Sequence, residues 1–211
     1  MQNKIIKIIR LLKKNYPSTF FPRQKPYNVL ISTILSQRTK DKNTIKASER
    51  LFSKFPTLEQ IANANLAEIK NLIKESGFYN VKAKRIKEVS RILLNKYNGK
   101  VPHEIDKLLK LPGVGRKTAN CVLVYGFNIP AIPADTHVHR ISNRLGIVKT
   151  KTPEQTEHEL MRKISKKYWI KINELFVKHG QTICNPIRPK CDKCIINKLC
   201  DFKKYQKIFK R

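Results

Sequence analysis

Residues Leu111-Pro112-Gly113-Val114-Gly115-Arg116-Lys117 place two glycines within three positions, in a chain of 211 residues that holds only seven. Glycine used so sparingly marks a place where the backbone turns tightly or comes close to something. Apolar residues at helical spacing flank the stretch, over Glu104–Lys110 on one side and Lys117–Phe127 on the other. The reading is helix, turn, helix. At the head of the second helix the amides of Gly113, Val114 and Gly115 are expected to point outward, with Arg116 beside them. Such a set of amides takes an anion, although a plain connection between two helices fits the same residues.

Outward from this turn the apolar period stays helical. Ile5, Ile8, Ile9 and Leu12 share one face of a first helix that Pro17 stops. Further helices are expected over Tyr27–Ser36, over Lys42–Phe55 with Asp41 as cap, and over Leu58–Asn63. Next come Leu66–Glu75 closed by Gly77, and Val81–Tyr97 with Ala83, Ile86, Val89 and Leu93 on one stripe. Beyond a proline-punctuated link at Pro130–Pro133 the pattern gives Thr136–Leu145, Pro153–Ser165 and Ile172–Ile183. No segment alternates with period two for long enough to be a strand, so the fold class is all-α. The link is the candidate hinge between two helical lobes.

Charge narrows the partners. Lys+Arg total 45 against 15 Asp+Glu, a formal net charge of +30. A surface this basic suits a polyanion, nucleic acid first and anionic membrane second. Of the 45 basic residues 33 are lysine, in a chain also rich in Asn and Ile, so part of the excess is compositional habit and the charge supports nucleic-acid binding without establishing it. No apolar run approaches the ~20 residues of a membrane span. The N-terminal segment lacks the apolar core and small-residue cleavage site of a secretory signal.

Four of the five cysteines, Cys184, Cys191, Cys194 and Cys200, fall in the pattern C-x6-C-x2-C-x5-C, and Cys121 stands apart within an apolar helix. Without an export signal, clustered thiols read as metal ligands rather than disulfides. Spacing alone leaves zinc and iron–sulfur comparable.

Taken together, LPGVGRKTA at 111–119, the Ile132-Pro133-Ala134-Asp135-Thr136-His137 segment and the four-cysteine tail occur in the order of a known family. The chain resembles the helix-hairpin-helix, Gly-Pro-Asp superfamily of DNA glycosylases, in its endonuclease III branch; LSQRTKD at 35–41 and GFYNVKA at 77–83 agree. The resemblance runs from about Tyr27 to Cys200.

The resemblance implies two helical lobes, 21–130 carrying the hairpin and 1–20 with 131–211 carrying a cluster loop over 184–200. It implies a [4Fe–4S] cluster on Cys184, Cys191, Cys194 and Cys200. It implies a base excision repair enzyme that removes damaged pyrimidines from duplex DNA and nicks the resulting abasic site, with Lys117 as nucleophile and Asp135 as the stabilising carboxylate. Lysine at 117 argues for the lyase-competent branch, since adenine-mismatch relatives lack it. Gln37 or Arg38, and Phe78, are the candidates to fill the gap left by an extruded base. Gly113, Val114, Gly115 and Arg116 are the expected phosphate contacts. His137 and His139, beside Asp135, are expected to make local hydrogen bonds.

The expected partner is double-stranded DNA with damaged bases or abasic sites, with no membrane; the protein is expected to be a monomer, in the cytoplasm or on the nucleoid. The rival readings are a glycosylase for uracil or mismatched thymine, and a non-catalytic DNA-binding module with a structural metal.

Overall fold

The structure, a computed structural model, describes residues 2–17 and 24–202. Among these, all regular structure is helical. The α-helices are α1 (Gln2–Asn15), α2 (Pro26–Ser36), α3 (Asp41–Lys54), α4 (Leu58–Asn63), α5 (Leu66–Leu72), α6 (Tyr79–Tyr97), α7 (Ile105–Leu109), α8 (Arg116–Cys121), α9 (Thr136–Arg144), α10 (Pro153–Lys163) and α11 (Trp169–Thr182).

The described residues divide into two compact units. One lies within Arg23–Ile129, the other within Met1–Pro22 and Pro130–Arg211. The lobe boundary expected at 20/21 lies outside the described residues.

In the Arg23–Ile129 unit α2 is the central helix. Val29, Leu30, Ile31, Ile34 and Leu35 are all buried, and α3, α6 and α8 pack on it. A helix that buries this much apolar surface belongs in a core. Pro26 occupies its first turn, where a missing N–H costs nothing. Gly126 lies so close to Pro26 that a Cβ there would stand 2.9 Å from the proline Cα. The expected Lys117–Phe127 helix is real but not uniform: α8 runs to Cys121, and Val122–Gly126 is wound wider, as a π-helix. Cys121 is buried within it.

Several expected boundaries move; α11, for one, begins at Trp169 rather than Ile172, and α10 ends at Lys163 rather than Ser165. Asp41 sits in the first turn of α3, and Lys40 takes the cap position, so the carboxylate meets the positive helix end rather than capping it. Helix α5 stops at Leu72, so Gly77 does not close it. Helix α6 begins two residues early, at Tyr79, because Phe78 adopts a left-handed conformation and turns the chain into it.

The other unit packs α9 against α11 and α10, with α1 against α11. Ile5, Ile8, Ile9 and Leu12 of α1 enter one core with Ile141, Leu145, Ile172 and Phe176. The proline link is part of this core: Ala131, Ile132 and Ala134 are buried, and Asn173 Nδ2 donates to the Pro133 carbonyl at 2.6 Å. That bond fixes the strand of chain leading into Asp135.

Candidate functional site

The hairpin turn is built as its glycines suggest. Gly113 has φ +75°, a conformation that L side chains rarely adopt. A Cβ there would also stand 2.7 Å from Cδ of Arg85. Gly115 is exposed, and a Cβ on it would meet nothing within 4 Å. Val114 differs from the expectation. Its side chain is buried and its amide donates to the Leu111 carbonyl at 3.1 Å, closing the turn, so that amide is not presented outward. The amides of Gly113 and Gly115 make no hydrogen bond among the described residues. Arg116 opens α8, and Lys117, the next residue, is exposed with no hydrogen bond or ion pair among the described residues.

Two loops of the same unit frame this hairpin. Gln37 Nε2 donates to the Gly113 carbonyl at 2.8 Å, with Thr118 Oγ1 at 3.4 Å. Its side chain therefore braces the hairpin. Arg38 instead is exposed, with φ +50°, and its guanidinium lies 5.7 Å from the ring centroid of Phe78. Phe78 has φ +59° and is 62% exposed, a large apolar ring held in solvent in a strained conformation. Gly77 packs its backbone against Arg38: a Cβ there would stand 2.8 Å from the Arg38 carbonyl oxygen. Of the sequence candidates, the structure pairs Arg38 with Phe78 and takes Gln37 away from them.

Behind this pair is a residue that the sequence reading missed. Lys82 is 2% exposed. Its Nζ donates to the carbonyls of Leu35 (2.7 Å) and Gln37 (2.6 Å) and to the hydroxyls of Thr39 (2.8 Å) and Ser76 (2.9 Å). Burial, with Arg85 adding a smaller effect, pushes its pKa down to about 8. One among 33 lysines, it was hidden by number. The available signal was its place on the apolar stripe of α6, one position before Ala83 and four before Ile86.

Asp135 lies in the other unit, half-buried at the head of α9. Its Oδ1 accepts from the amides of His137 (2.9 Å) and Val138 (2.8 Å), so it caps the helix. Oδ2 accepts no hydrogen bond among the described residues. His139 Nδ1 and Thr156 Oγ1 are hydrogen-bonded at 2.6 Å, and His137 Nδ1 lies 3.0 Å from Arg140 Nη2, so both histidines have local partners as expected.

The four tail cysteines line one cavity with Ile141, Leu145 and Ile196. Short helical turns at Cys191–Lys193 and Asn197–Leu199 fold the loop, and buried Ile196 anchors it in the core. Arg140 donates twice to the Cys184 carbonyl, and Arg144 donates to Cys184 Sγ at 3.3 Å and to the Asn185 and Pro186 carbonyls. Among the described residues no three His, Cys, Asp or Glu side chains are gathered to hold a single ion. Four thiols lining one cavity supply the donor set of a thiolate-bound metal centre. Burial, with neighbouring Cys200, Cys184 and Cys191 adding to it, pushes the Cys194 thiol up to about 11. Four thiolates here therefore call for a cationic group among them.

An all-helical fold with a Gly-x-Gly hairpin, a capping aspartate past a proline link and a four-thiol loop defines the helix-hairpin-helix class of DNA glycosylase. Residues 31–166 match the HhH-GPD superfamily base excision DNA repair protein family. Endonuclease III of Thermotoga maritima is 51% identical over 195 residues, covering 92% of this chain and 89% of that protein. Endonuclease III of Rickettsia conorii is 38% identical over 205 residues, covering 96% and 98%. The solved structure of a trapped endonuclease III–DNA covalent intermediate, an estranged-adenine complex, matches with a TM-score of 0.90 at 34% identity, over 98% of this chain and 99% of that one. The chain belongs to the endonuclease III family of the HhH-GPD superfamily.

Proposed function

We propose that the protein is a bifunctional base excision repair enzyme that releases oxidised pyrimidines from duplex DNA and then nicks the abasic site. What carries this reading is Lys117, an exposed amine at the head of α8 with no partner among the described residues, in a chain 34% identical to an endonuclease III trapped covalently on DNA.

The chemistry follows from two groups. The N-glycosidic bond breaks with positive charge growing on the sugar, which the Asp135 carboxylate stabilises electrostatically. Its Oδ1 is held by the two α9 amides, and Oδ2 is left to face that charge. The Lys117 amine attacks C1′, and the base leaves with the electron pair of the broken bond. Ring opening and loss of a proton from nitrogen give an imine. Protonated, the imine draws electrons from C2′, a proton leaves there, and the 3′ phosphate departs with its bonding electrons. Water then hydrolyses the imine and returns the amine.

Binding rests on charge and shape. Gly113, Gly115 and Arg116 offer amides and a cation to a backbone phosphate, a contact blind to sequence. The base reaches the amine only by leaving the stack, and Arg38 with Phe78 occupies the space it vacates. Cys184, Cys191, Cys194 and Cys200 would hold a [4Fe–4S] cluster that cross-links their loop and so presents Arg188, Lys190, Lys193 and Lys198 to phosphate. No described helix is long and apolar enough to cross a membrane, and the reading places the protein with DNA in the cytoplasm.

A panel of duplexes tests this. Each carries one oxidised pyrimidine, uracil, mismatched thymine or abasic site, and base release and strand cleavage are measured separately. Release of the oxidised pyrimidines followed by cleavage is expected. Tight binding with neither reaction on any duplex would make the protein a DNA-binding module instead.

A further inference from the structure

Two neighbouring loops each hold a non-glycine residue in the left-handed conformation, Arg38 in one and Phe78 in the other. Neither conformation is favoured by the residue itself, and each persists only if its surroundings impose it. Between the loops lies a single buried ammonium. From inside the unit Lys82 reaches the carbonyls of Leu35 and Gln37 and the hydroxyl of Thr39 in the first loop, and the hydroxyl of Ser76 at the base of the second. The hydroxyls extend the link. Ser76 Oγ also donates to the Leu35 carbonyl, and the Gly77 amide donates to Thr39 Oγ1. All four acceptors carry partial negative charge on oxygen, and an ammonium is the side-chain group that offers three donors from one point. Apolar packing in its place would take the one charged donor from four oxygens and leave them only the neutral bonds from Ser76 Oγ, Thr39 Oγ1 and the Gly77 amide.

We propose that Lys82 is a positioning residue for base extrusion: its ammonium clasps the 35–39 loop to the 76–78 loop, so that Arg38 and Phe78 form one rigid wedge before DNA is bound. This rests on the reading that the Arg38–Phe78 pair enters the duplex. Its energetic content is preorganisation. Without the clasp, the two loops must be ordered at the moment the stack opens, and that cost falls on binding and opening the duplex rather than on imine chemistry. Lys82 itself touches no reacting atom, because its three N–H donors are directed into the two loops.

The test uses Lys82→Met, which keeps the length of the side chain and removes the donors, in the full-length, iron-loaded protein. Three readouts are compared: fluorescence of 2-aminopurine placed opposite the lesion, kcat/KM for base release from duplex, and borohydride trapping on an abasic site in a single strand, where no stack has to be held open. The expected result is loss of the fluorescence change and a ~10-fold or greater fall in duplex kcat/KM, with single-strand trapping within about two-fold of wild type. In an Arg38→Ala, Phe78→Ala background, Lys82→Met is expected to add less than about two-fold, because residues acting as one unit are not additive. Equal losses on duplex and single strand, or an undiminished loss in that background, would overturn the proposal. If Arg38→Ala, Phe78→Ala itself leaves the fluorescence change intact, the wedge reading fails; if it abolishes the change while Lys82→Met does not, only the clasp fails. Thr39→Val, which removes one of the four acceptors, is the milder probe if Lys82→Met does not fold. It should shift the duplex readouts the same way, and an unchanged duplex signal there counts against the clasp.

Discussion

The Gln37 side chain is bound to the hairpin: its Nε2 donates to the Gly113 carbonyl at 2.8 Å, joining the 35–41 loop to the turn that presents Lys117. The neighbouring Arg38, not Gln37, is left in solvent beside Phe78. The two adjacent residues therefore answer to different measurements. Gln37→Ala should lower the unfolding midpoint by a few degrees, the loss of ~1 kcal/mol for one partly buried hydrogen bond. Arg38→Ala should leave the midpoint unchanged and slow base release from duplex. Thermal unfolding and single-turnover kinetics on both variants check this, and the reverse pattern would return Gln37 to the wedge.

The two hairpin glycines separate in the same way. Gly113→Ala forces a side chain into a left-handed conformation against Arg85, and should destabilise the free protein by ~1–2 kcal/mol while weakening DNA binding. Gly115→Ala meets nothing in the free protein, so its stability should be unchanged. A fall in its affinity for undamaged duplex then reports the approach of a phosphate. The salt dependence of log Kd should flatten by roughly 0.9 for a lost phosphate contact. Binding isotherms at several salt concentrations give both numbers, and unchanged affinity in Gly115→Ala would mean the turn is only a connection.

Purified protein should be brown, with about four irons per chain. Cys184→Ser, Cys191→Ser, Cys194→Ser and Cys200→Ser should each lower iron content or solubility. Cys121→Ser, in the other unit and buried among apolar residues, should leave iron unchanged. Stoichiometric zinc without iron in anaerobically prepared protein would contradict the cluster.

How far the sequence could be read depended on the kind of signal. Helix order and most spans were legible because apolar period, Pro26 and Pro153 act locally. The hairpin and cysteine loop were legible because rare residues carry them. The inward amide of Val114 was not legible, because backbone hydrogen bonding within a turn leaves no trace in side-chain type. Gly77 looked like a helix end, but its smallness answers a carbonyl on a distant loop. The burial of Lys82 could be read from the stripe of α6, but its partners could not: its four acceptors come from residues 35–39 and 76, and a lysine announces none of them.

Asp135 caps α9, and one substitution separates that observed role from the catalytic role proposed for it. Asn caps a helix as well as Asp does, so Asp135→Asn should keep α9 and the unfolding midpoint. If the carboxylate stabilises the sugar as proposed, the loss of its charge should slow base release by ~10²-fold or more. On a preformed abasic site, where no base has to leave, the loss should be much smaller. Equal losses on both substrates would mean that Asp135 supports structure rather than the charged transition state.

The covalent step is the centre of the account, and borohydride trapping measures it directly. Wild-type protein incubated with an oxidised-pyrimidine or abasic duplex should be reduced to a stable protein–DNA adduct that migrates as a cross-linked species. Lys117→Gln should form no adduct and make no nick, while binding the duplex with near wild-type affinity, since the Gly113 and Gly115 amides remain. A Lys117→Gln protein that still forms the adduct at the wild-type rate would show that another of the 33 lysines, or the N-terminal amine, attacks C1′, and would contradict the assignment.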